Sequence, residues 1–233
     1  MEKRIETLTR WIAEAKHPVF FTGAGISTES GLPDFRGPDG LWTRQAKGLP
    51  PPKFDWSKAM PNQSHRAIVE LQGMGRLAFL ISQNVDNLHL KSGINPDLLA
   101  ELHGNVTKLR CRGCGFKCDY FPDLTICPIC GGKLASSVVN FGDPLPEKDL
   151  EVAEWHSRKS DLFVVVGSSL VVFPAAEMPK IALQSGAKLV IINKEETPLD
   201  QLCHLRFSEK AGEVLPRVVA GLRELKANAG RAA

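Results

Sequence analysis

Residues 2–16 carry Ile5, Leu8, Ile12 and Ala15 at helical spacing with charged side chains between them, and Lys16-His17-Pro18 closes the pattern. The period then changes. Val19-Phe20-Phe21-Thr22 is a short apolar run that predicts a buried strand, and it feeds directly into Gly23-Ala24-Gly25-Ile26-Ser27. Helix, strand and glycine turn in that order open an α/β unit. The alternation returns along the chain. A helix around 64–73, with Ile68 and Leu71 inward, leads to a strand over Leu77–Ile81 that ends in Ser82-Gln83-Asn84-Val85-Asp86. Val138-Val139-Asn140-Phe141 reads as a further strand, followed by a charged helix over 147–159. Leu162–Val166 is apolar on both faces, as in a sheet covered twice, and ends in Gly167-Ser168-Ser169. A helix over 174–185, a strand over Lys188–Ile192 ending in Asn193, and a closing helix over 211–226 complete the pattern. It predicts an α/β fold with a doubly wound parallel sheet. The strand ends at 23–27, 82–86, 167–169 and 193 make one polar rim, the place where such sheets bind ligands.

Two stretches interrupt the alternation. From Gly37 to Pro61, glycine and proline forbid long regular elements, yet Leu41, Trp42, Phe54 and Trp56 are interleaved, so the segment reads as an ordered loop that docks on something. The second holds Cys111-x2-Cys114 and Cys127-x2-Cys130, twelve residues apart. Each Cys-x-x-Cys knuckle aims two thiolates at one point, and two knuckles complete a tetrahedron for Zn2+. Four thiolates leave no coordination position for water or substrate, so the expected zinc is structural, one per chain. Cys118 and Cys203, the other two of six cysteines, read as ordinary structural residues.

Composition narrows the function classes. The chain has 233 residues, 43% of them hydrophobic and 24% charged, enough for a real core, and its formal net charge of +3 favours no particular partner. The start, Met1-Glu2-Lys3-Arg4-Ile5-Glu6, is acid-bearing and unlike a secretory signal, and Leu162–Val166 is far too short to span a bilayer. The reading is a soluble, cytoplasmic protein, in which paired cysteines bind metal before they form disulfides. Basic residues around the knuckles (Lys108, Arg110, Arg112, Lys117, Lys133) are offset by Asp119 and Asp123, so a zinc-ribbon binding module for nucleic acid is the weaker reading.

The glycine turn invites a dehydrogenase, but Thr28 stands where the third glycine of the dinucleotide fingerprint belongs, and no acidic residue follows the next strand at the expected distance. Hydride transfer is disfavoured; dinucleotide binding is not. Gly23–Ser27, Gly31-Leu32-Pro33-Asp34-Phe35-Arg36, Gln83–Asp86, His103-Gly104, the four cysteines, Phe141-Gly142, Gly167-Ser168-Ser169-Leu170 and Asn193 resemble the sirtuin family, in the family's order and over about residues 5 to 220.

That resemblance implies an NAD-dependent protein-lysine deacylase, a transferase-class enzyme releasing nicotinamide, free lysine and O-acyl-ADP-ribose. It implies a Rossmann-like domain from 1–37, 62–108 and 138–233, and a small domain from 38–61 and 109–137 holding the helical loop and the zinc ribbon. NAD, a consumed co-substrate, lies between them. Ala24, Ile26, Asp34, Phe35 and Arg36 match residues that wrap it, Asn84 and Asp86 hold the nicotinamide, and Ser27, Gln83, Ser168 and Ser169 meet ribose and phosphates. Asn193, Lys194, Glu195 and Ala211 flank the adenosine, and Gly23, Gly25, Trp42, Val85 and Gly167 complete the cofactor contacts. His103 matches the base that deprotonates a ribose hydroxyl, with Asn84 positioning ribose and water.

The acylated-lysine peptide is expected to add as a strand along Val139, Phe141, Gly142 and Val171. Asp143 and Ser168 stand where the family more often has Glu and Thr. Members that take dicarboxylic acyl groups carry Tyr and Arg after the Phe-Arg segment; Leu41 stands at the Tyr-like position, with Arg44 three residues on, so an apolar acyl group is expected. The family's alternative chemistry is mono-ADP-ribosyl transfer from the same site. The expected assembly is a monomer.

Overall fold

The computed structural model describes residues 1–231. In chain order its elements are α1 (Glu2–Glu14), β1 (Pro18–Thr22), α2 (Leu41–Ala46), α3 (Gln63–Gly73), β2 (Phe79–Ser82), α4 (Leu88–Ser92), β3 (Leu99–Glu101) and β4 (Lys108–Cys111). These are followed by β5 (Lys117–Asp119), β6 (Leu134–Ser136), α5 (Glu147–Lys159), β7 (Leu162–Val166), α6 (Met178–Gln184), β8 (Lys188–Ile192), β9 (Leu205–Phe207) and α7 (Ala211–Arg231). Six strands form one parallel sheet in the order β3-β2-β1-β7-β8-β9.

Alternation along the strands divides the core in two. Phe20, Leu80, Val164 and Val190 point to one face, where Ile5, Leu8 and Ile12 of α1, Ile68 and Leu71 of α3, and Val214 and Val218 of α7 cover them. Phe21, Phe79, Phe163 and Ile191 point to the other, against Ala153 of α5 and Met178 and Ala182 of α6. Because both faces are covered, β1 and β7 are apolar and buried throughout. The chain runs outward from β1 in both directions, through β2 and β3 on one side and through β7, β8 and β9 on the other. The crevice at the carboxyl ends of β1 and β7 is therefore a topological switch point.

Two sequence expectations change. Val138–Phe141 forms no strand: Ser137 N–H donates to the Lys108 carbonyl and Val139 N–H to the His103 carbonyl, and no ladder continues beyond them. An extended segment becomes a strand only where another backbone lies alongside it. The 174–185 helix is divided, with a 3-10 turn at Ala175–Glu177 before α6, which carries Pro179 in its first turn where an amide donor is dispensable. The cysteine insert is a three-stranded antiparallel sheet, β5-β4-β6, packed around Leu109 and Leu134.

Behind the crevice α3 and α4 bury two histidines. Asn62 caps α3, accepting from Ser64 and His65 N–H, and the His65 ring completes the capping box. Burial pushes His65 down to about 4, and burial, then neighbouring His65, pushes His89 well below the ordinary histidine range. Histidines held neutral in the fold but free to protonate when unfolded stabilise the protein fully above about pH 6.5, and that stability is lost as pH falls toward 4. For His65 the loss is on the order of 3 kcal/mol. Burial raises the carboxyls of Asp34, Asp86 and Glu101, which act in the opposite sense. Urea unfolding of wild type and His65→Gln between pH 7 and pH 4.5 isolates the histidine: the variant should lose less stability on acidification, and parallel slopes would contradict the assignment.

Candidate active site

The floor of the site is a contact between two turns. Gly23 N–H donates to the Val166 carbonyl at 3.1 Å and Gly25 N–H to the Gly167 carbonyl at 2.8 Å, which draws the loop after β1 onto the loop after β7. A Cβ on Gly25 would stand 2.8 Å from Gly167 Cα, so no side chain fits there. Gly167 itself has φ +64, in the left-handed region that favours glycine. Gly25→Ala should force the turns apart, cost about 1–3 kcal/mol of stability as overpacking does, and weaken nucleotide binding. Thermal unfolding and ADP-ribose titration check this; unchanged affinity would mean that the floor is not a ligand surface.

Above this contact opens a cavity of about 820 Å³, lined from the ends of β1, β2, β7 and β8, the loop 32–42, His103, the segment 138–143 and the start of α7. The 3-10 turn Ala24–Ser30 carries Ser27 into it. Ser27 hydroxyl donates to Asp86 Oδ2 at 2.6 Å, Asn84 Nδ2 donates to Ser27 Oγ at 3.2 Å, and Leu88 N–H donates to Asp86 Oδ1 at 2.9 Å. Burial pushes the Asp86 carboxyl up, offset by the Ser27 and Leu88 donors. The result is a buried amide, hydroxyl and carboxyl held in one arrangement, able to read a carboxamide. Gln83 Nε2 donates to Ser168 Oγ at 2.7 Å across the switch point.

His103 follows β3. Its Nδ1 lies 2.8 Å from the Gln83 carbonyl oxygen. A carbonyl only accepts, so the proton sits on Nδ1 and Nε2 keeps its lone pair. Burial lowers the His103 pKa, partly offset by the Gln83 hydrogen bond, so the ring is neutral at pH 7. A neutral imidazole with one nitrogen tied to the backbone and the other free is equipped as a base. His103 also accepts Val139 N–H through its carbonyl at 3.0 Å, and a Cβ on Gly104, whose φ is +79, would lie 1.9 Å from the Ser137 carbonyl oxygen.

The roof is aromatic. Phe35 and Trp42 lie 4.9 Å apart between centroids, Trp42 and Phe141 5.4 Å, and the Arg36 guanidinium lies over Trp42 at 4.2 Å. Leu41 N–H donates to the Asp34 carbonyl and Trp42 N–H to the Phe35 carbonyl, so α2 holds this loop closed on itself. Asp34 Oδ1 accepts Gly37 N–H at 3.0 Å, and burial raises the Asp34 carboxyl.

The residues expected from the sequence converge. Gly23, Ala24, Gly25, Ser27, Asp34, Phe35, Arg36, Trp42, Gln83–Asp86, Gly167–Ser169, Asn193–Glu195 and Ala211 line the cavity, as do His103, Val139, Phe141, Gly142 and Val171. Ile26 does not; its side chain is fully buried in the core beneath the turn. Glu29, Leu145, Glu209 and Lys210 also line the cavity, although no motif in the sequence marks them.

At the far side of the insert the Sγ atoms of Cys111, Cys114, Cys127 and Cys130 all lie within 4.8 Å of one another, with Cys111–Cys130 at 3.5 Å and Cys114–Cys127 at 3.6 Å. Four sulfurs at about 2.3 Å from a tetrahedral Zn2+ stand about 3.8 Å apart, so the donor set fits that ion. Cys118 packs in the ribbon's apolar cluster and Cys203 donates to the Asp200 carbonyl, both outside the quartet.

Comparison with known proteins follows the same lines. A family model described as Sir2 family matches residues 23–54 and 52–174. The chain is 41% identical over 239 residues to the NAD-dependent protein deacetylase SRT1 of Arabidopsis thaliana, covering 96% of this chain and 49% of the plant protein. It thus spans about half the length of that relative and of its rice counterpart, whereas it spans nearly all of an archaeal one. That protein, the NAD-dependent protein deacylase of Pyrococcus abyssi, is 40% identical over 250 residues, covering 95% of this chain and 99% of its own. Among solved structures, a Sir2 protein in complex with a p53 peptide and NAD+ superposes with a TM-score of 0.75 at 35% identity, over 93% of this chain and 98% of that one.

Proposed function

Because this chain belongs to the Sir2 family, we propose that it is an NAD-dependent protein-lysine deacylase, in which NAD+ is consumed and the acyl group leaves as O-acyl-ADP-ribose. One observation carries the reading: His103 Nδ1–H is committed to the Gln83 carbonyl, which leaves Nε2 as a neutral base inside the same cavity as Asn84 and Asp86.

The NAD co-substrate supplies the electrophilic ribose carbon once nicotinamide departs. The chain supplies the surroundings. Asn84, Ser27 and Asp86 orient the nicotinamide carboxamide. Phe35 and Trp42 cover the reacting face and exclude water, so that it does not compete with the acyl oxygen for that carbon. His103 Nε2 takes the proton of a ribose hydroxyl. Gly23, Gly25 and Ser168 bring backbone close to the pyrophosphate, and Asn193, Lys194 and Ala211 flank the adenosine. The peptide lies as an added strand on 139–142 and 171–173, where Phe141, 78% exposed, and Phe173, 56% exposed, leave backbone and rings open to a partner. In this reading 38–61 and 109–137 act as a small unit over a Rossmann-like domain, and the chain works as a monomer. Among the described residues no helix is long and apolar enough to cross a membrane.

The acyl group is apolar. Leu41 lines the cavity, while Arg44, the residue that could pair an acyl carboxylate, does not; its Nε donates to the Pro50 carbonyl at 2.8 Å. Acetyl-peptide turnover should exceed succinyl-peptide turnover, and the reverse order would sink this assignment. The enzyme reading itself is tested by incubating the protein with NAD+ and an acetyl-lysine peptide. Nicotinamide release matched one for one by deacetylated peptide is the expected result. No release from zinc-loaded protein would refute it, and transfer of label from NAD+ to protein without deacetylation would favour ADP-ribosyl transfer.

A further inference from the structure

Beside the adenosine end of the cavity, and outside the residues that line it, a single guanidinium gathers the backbone of the loop after β8. Arg206 sits on β9, opposite Ile191. Its Nη1 donates to the carbonyls of Asn193 and Phe207, its Nη2 to the carbonyl of Glu195 at 2.7 Å, and its Nε to Asp200 Oδ1 at 3.0 Å. The same Asp200 oxygen accepts the Thr197 hydroxyl at 2.7 Å, and the Glu195 carbonyl also accepts Asn193 Nδ2 at 2.8 Å. Both ends of the 193–200 loop are thus tied to one side chain. Arg4 of α1 fixes the strand from the other side by donating to the Arg206 carbonyl at 2.6 Å, so the guanidinium has a defined origin.

Arg206 does not line the cavity, but Asn193, Lys194 and Glu195 do. After burial, which raises the Asp34 carboxyl, and the Gly37 N–H, which lowers it, Glu195 raises it and Lys194 lowers it. Four acceptors arrayed around one group need the planar fork of arginine; a lysine ammonium, with three donors on a single nitrogen, satisfies only some of them. We propose that Arg206 is a positioning residue for the nucleotide, holding the Asn193–Glu195 segment in the shape that receives the adenosine and thereby setting the affinity for NAD+ without touching it. The inference rests on the NAD reading given above.

Calorimetric titration with ADP-ribose, on zinc-loaded wild type, Arg206→Lys and Arg206→Ala, tests it. The expected order is wild type tightest, Arg206→Lys weaker by a few fold and Arg206→Ala weaker by about tenfold or more, a loss comparable to one charge-assisted hydrogen bond. KM for NAD+ should rise in parallel while KM for the acyl peptide holds. A lower melting temperature with unchanged ADP-ribose affinity in either variant would overturn the proposal and reduce Arg206 to a structural tie. Should Arg206→Ala fail to fold, Arg206→Lys decides alone, wild-type affinity in it counting against the proposal. Failure of the wild type itself to bind ADP-ribose would instead refute the NAD reading.

Discussion

His103→Ala is expected to lower acyl transfer by about 10²–10⁴-fold, the range for loss of a general base, while ADP-ribose affinity changes little. The side chain does two jobs, and a second substitution separates them. His103→Asn can still donate an amide N–H to the Gln83 carbonyl, 2.8 Å from Nδ1 in the wild type, but has no basic nitrogen to replace Nε2. If the base is what matters, both variants should be equally slow. Near-normal rates in His103→Asn would mean that the ring only shapes the pocket. The pH profile gives an independent reading: burial lowers the His103 pKa, so the acid limb of the rate should lie below the ordinary histidine range, with activity rising as the ring loses its proton. Measuring deacetylated peptide at saturating NAD+ across pH 5 to 8 checks both expectations.

Removing the zinc ligands should be as damaging, by a different route. Cys111→Ser or Cys127→Ser takes one thiolate from the quartet, and structural Zn2+ contributes on the order of 10 kcal/mol to the folding of such small units. The ribbon has little else: its apolar core is Leu109 and Leu134 with the cysteines themselves, plus partly buried Phe116 and Leu124. Without metal the β5-β4-β6 sheet should unfold. Because β4 follows His103 by only a few residues, and Ser137, just after β6, donates its N–H to the Lys108 carbonyl, the loss is expected to reach the proposed base. One zinc per chain by metal analysis is expected in the wild type, with loss of both ribbon protection in hydrogen exchange and deacylation on chelation. A metal-free protein with an intact ribbon would contradict the four-thiolate assignment.

What could be read from the chain followed physical determinism. β1, β2, β7 and β8 are buried on both faces, so their apolar runs had no other reading, and the polar residues after them fell on one rim because parallel strands end on the same side. The cysteine spacing was legible because a tetrahedron permits few arrangements. Three-residue β3 and β9 were not, since strands so short have no period to detect and owe their conformation to neighbours already in place. Val138–Phe141 shows the same effect in reverse: its residues favour a strand, but beyond the single Val139–His103 backbone hydrogen bond no partner strand runs alongside it. Ile26, which the resemblance implies as a cofactor contact, has its side chain in the core, so only the backbone of the 3-10 turn can face the cavity at that position. The His65–His89 pair and the Arg206 tie gave no sequence signal at all, because each depends on segments that meet only in the folded chain.

The junction between His103 and the segment proposed to face the peptide bears on how an enzyme of the proposed kind can diversify. His103 and Val139 share a backbone hydrogen bond, and Gly104 sits so close to the Ser137 carbonyl that no other residue fits. Remodelling of 137–139 to admit new protein substrates is therefore expected to displace His103, the proposed base, in the same stroke. The loop carrying Leu41 and Trp42 has no such tie to His103, since α2 closes on Asp34 and Phe35. Changes in acyl preference can accumulate around Leu41 at little cost to the chemistry, whereas changes at the proposed peptide edge are penalised by lost turnover, so laboratory libraries aimed at new acyl groups belong in residues 38–56 with Trp42, which packs on Phe35 and Phe141, left unchanged.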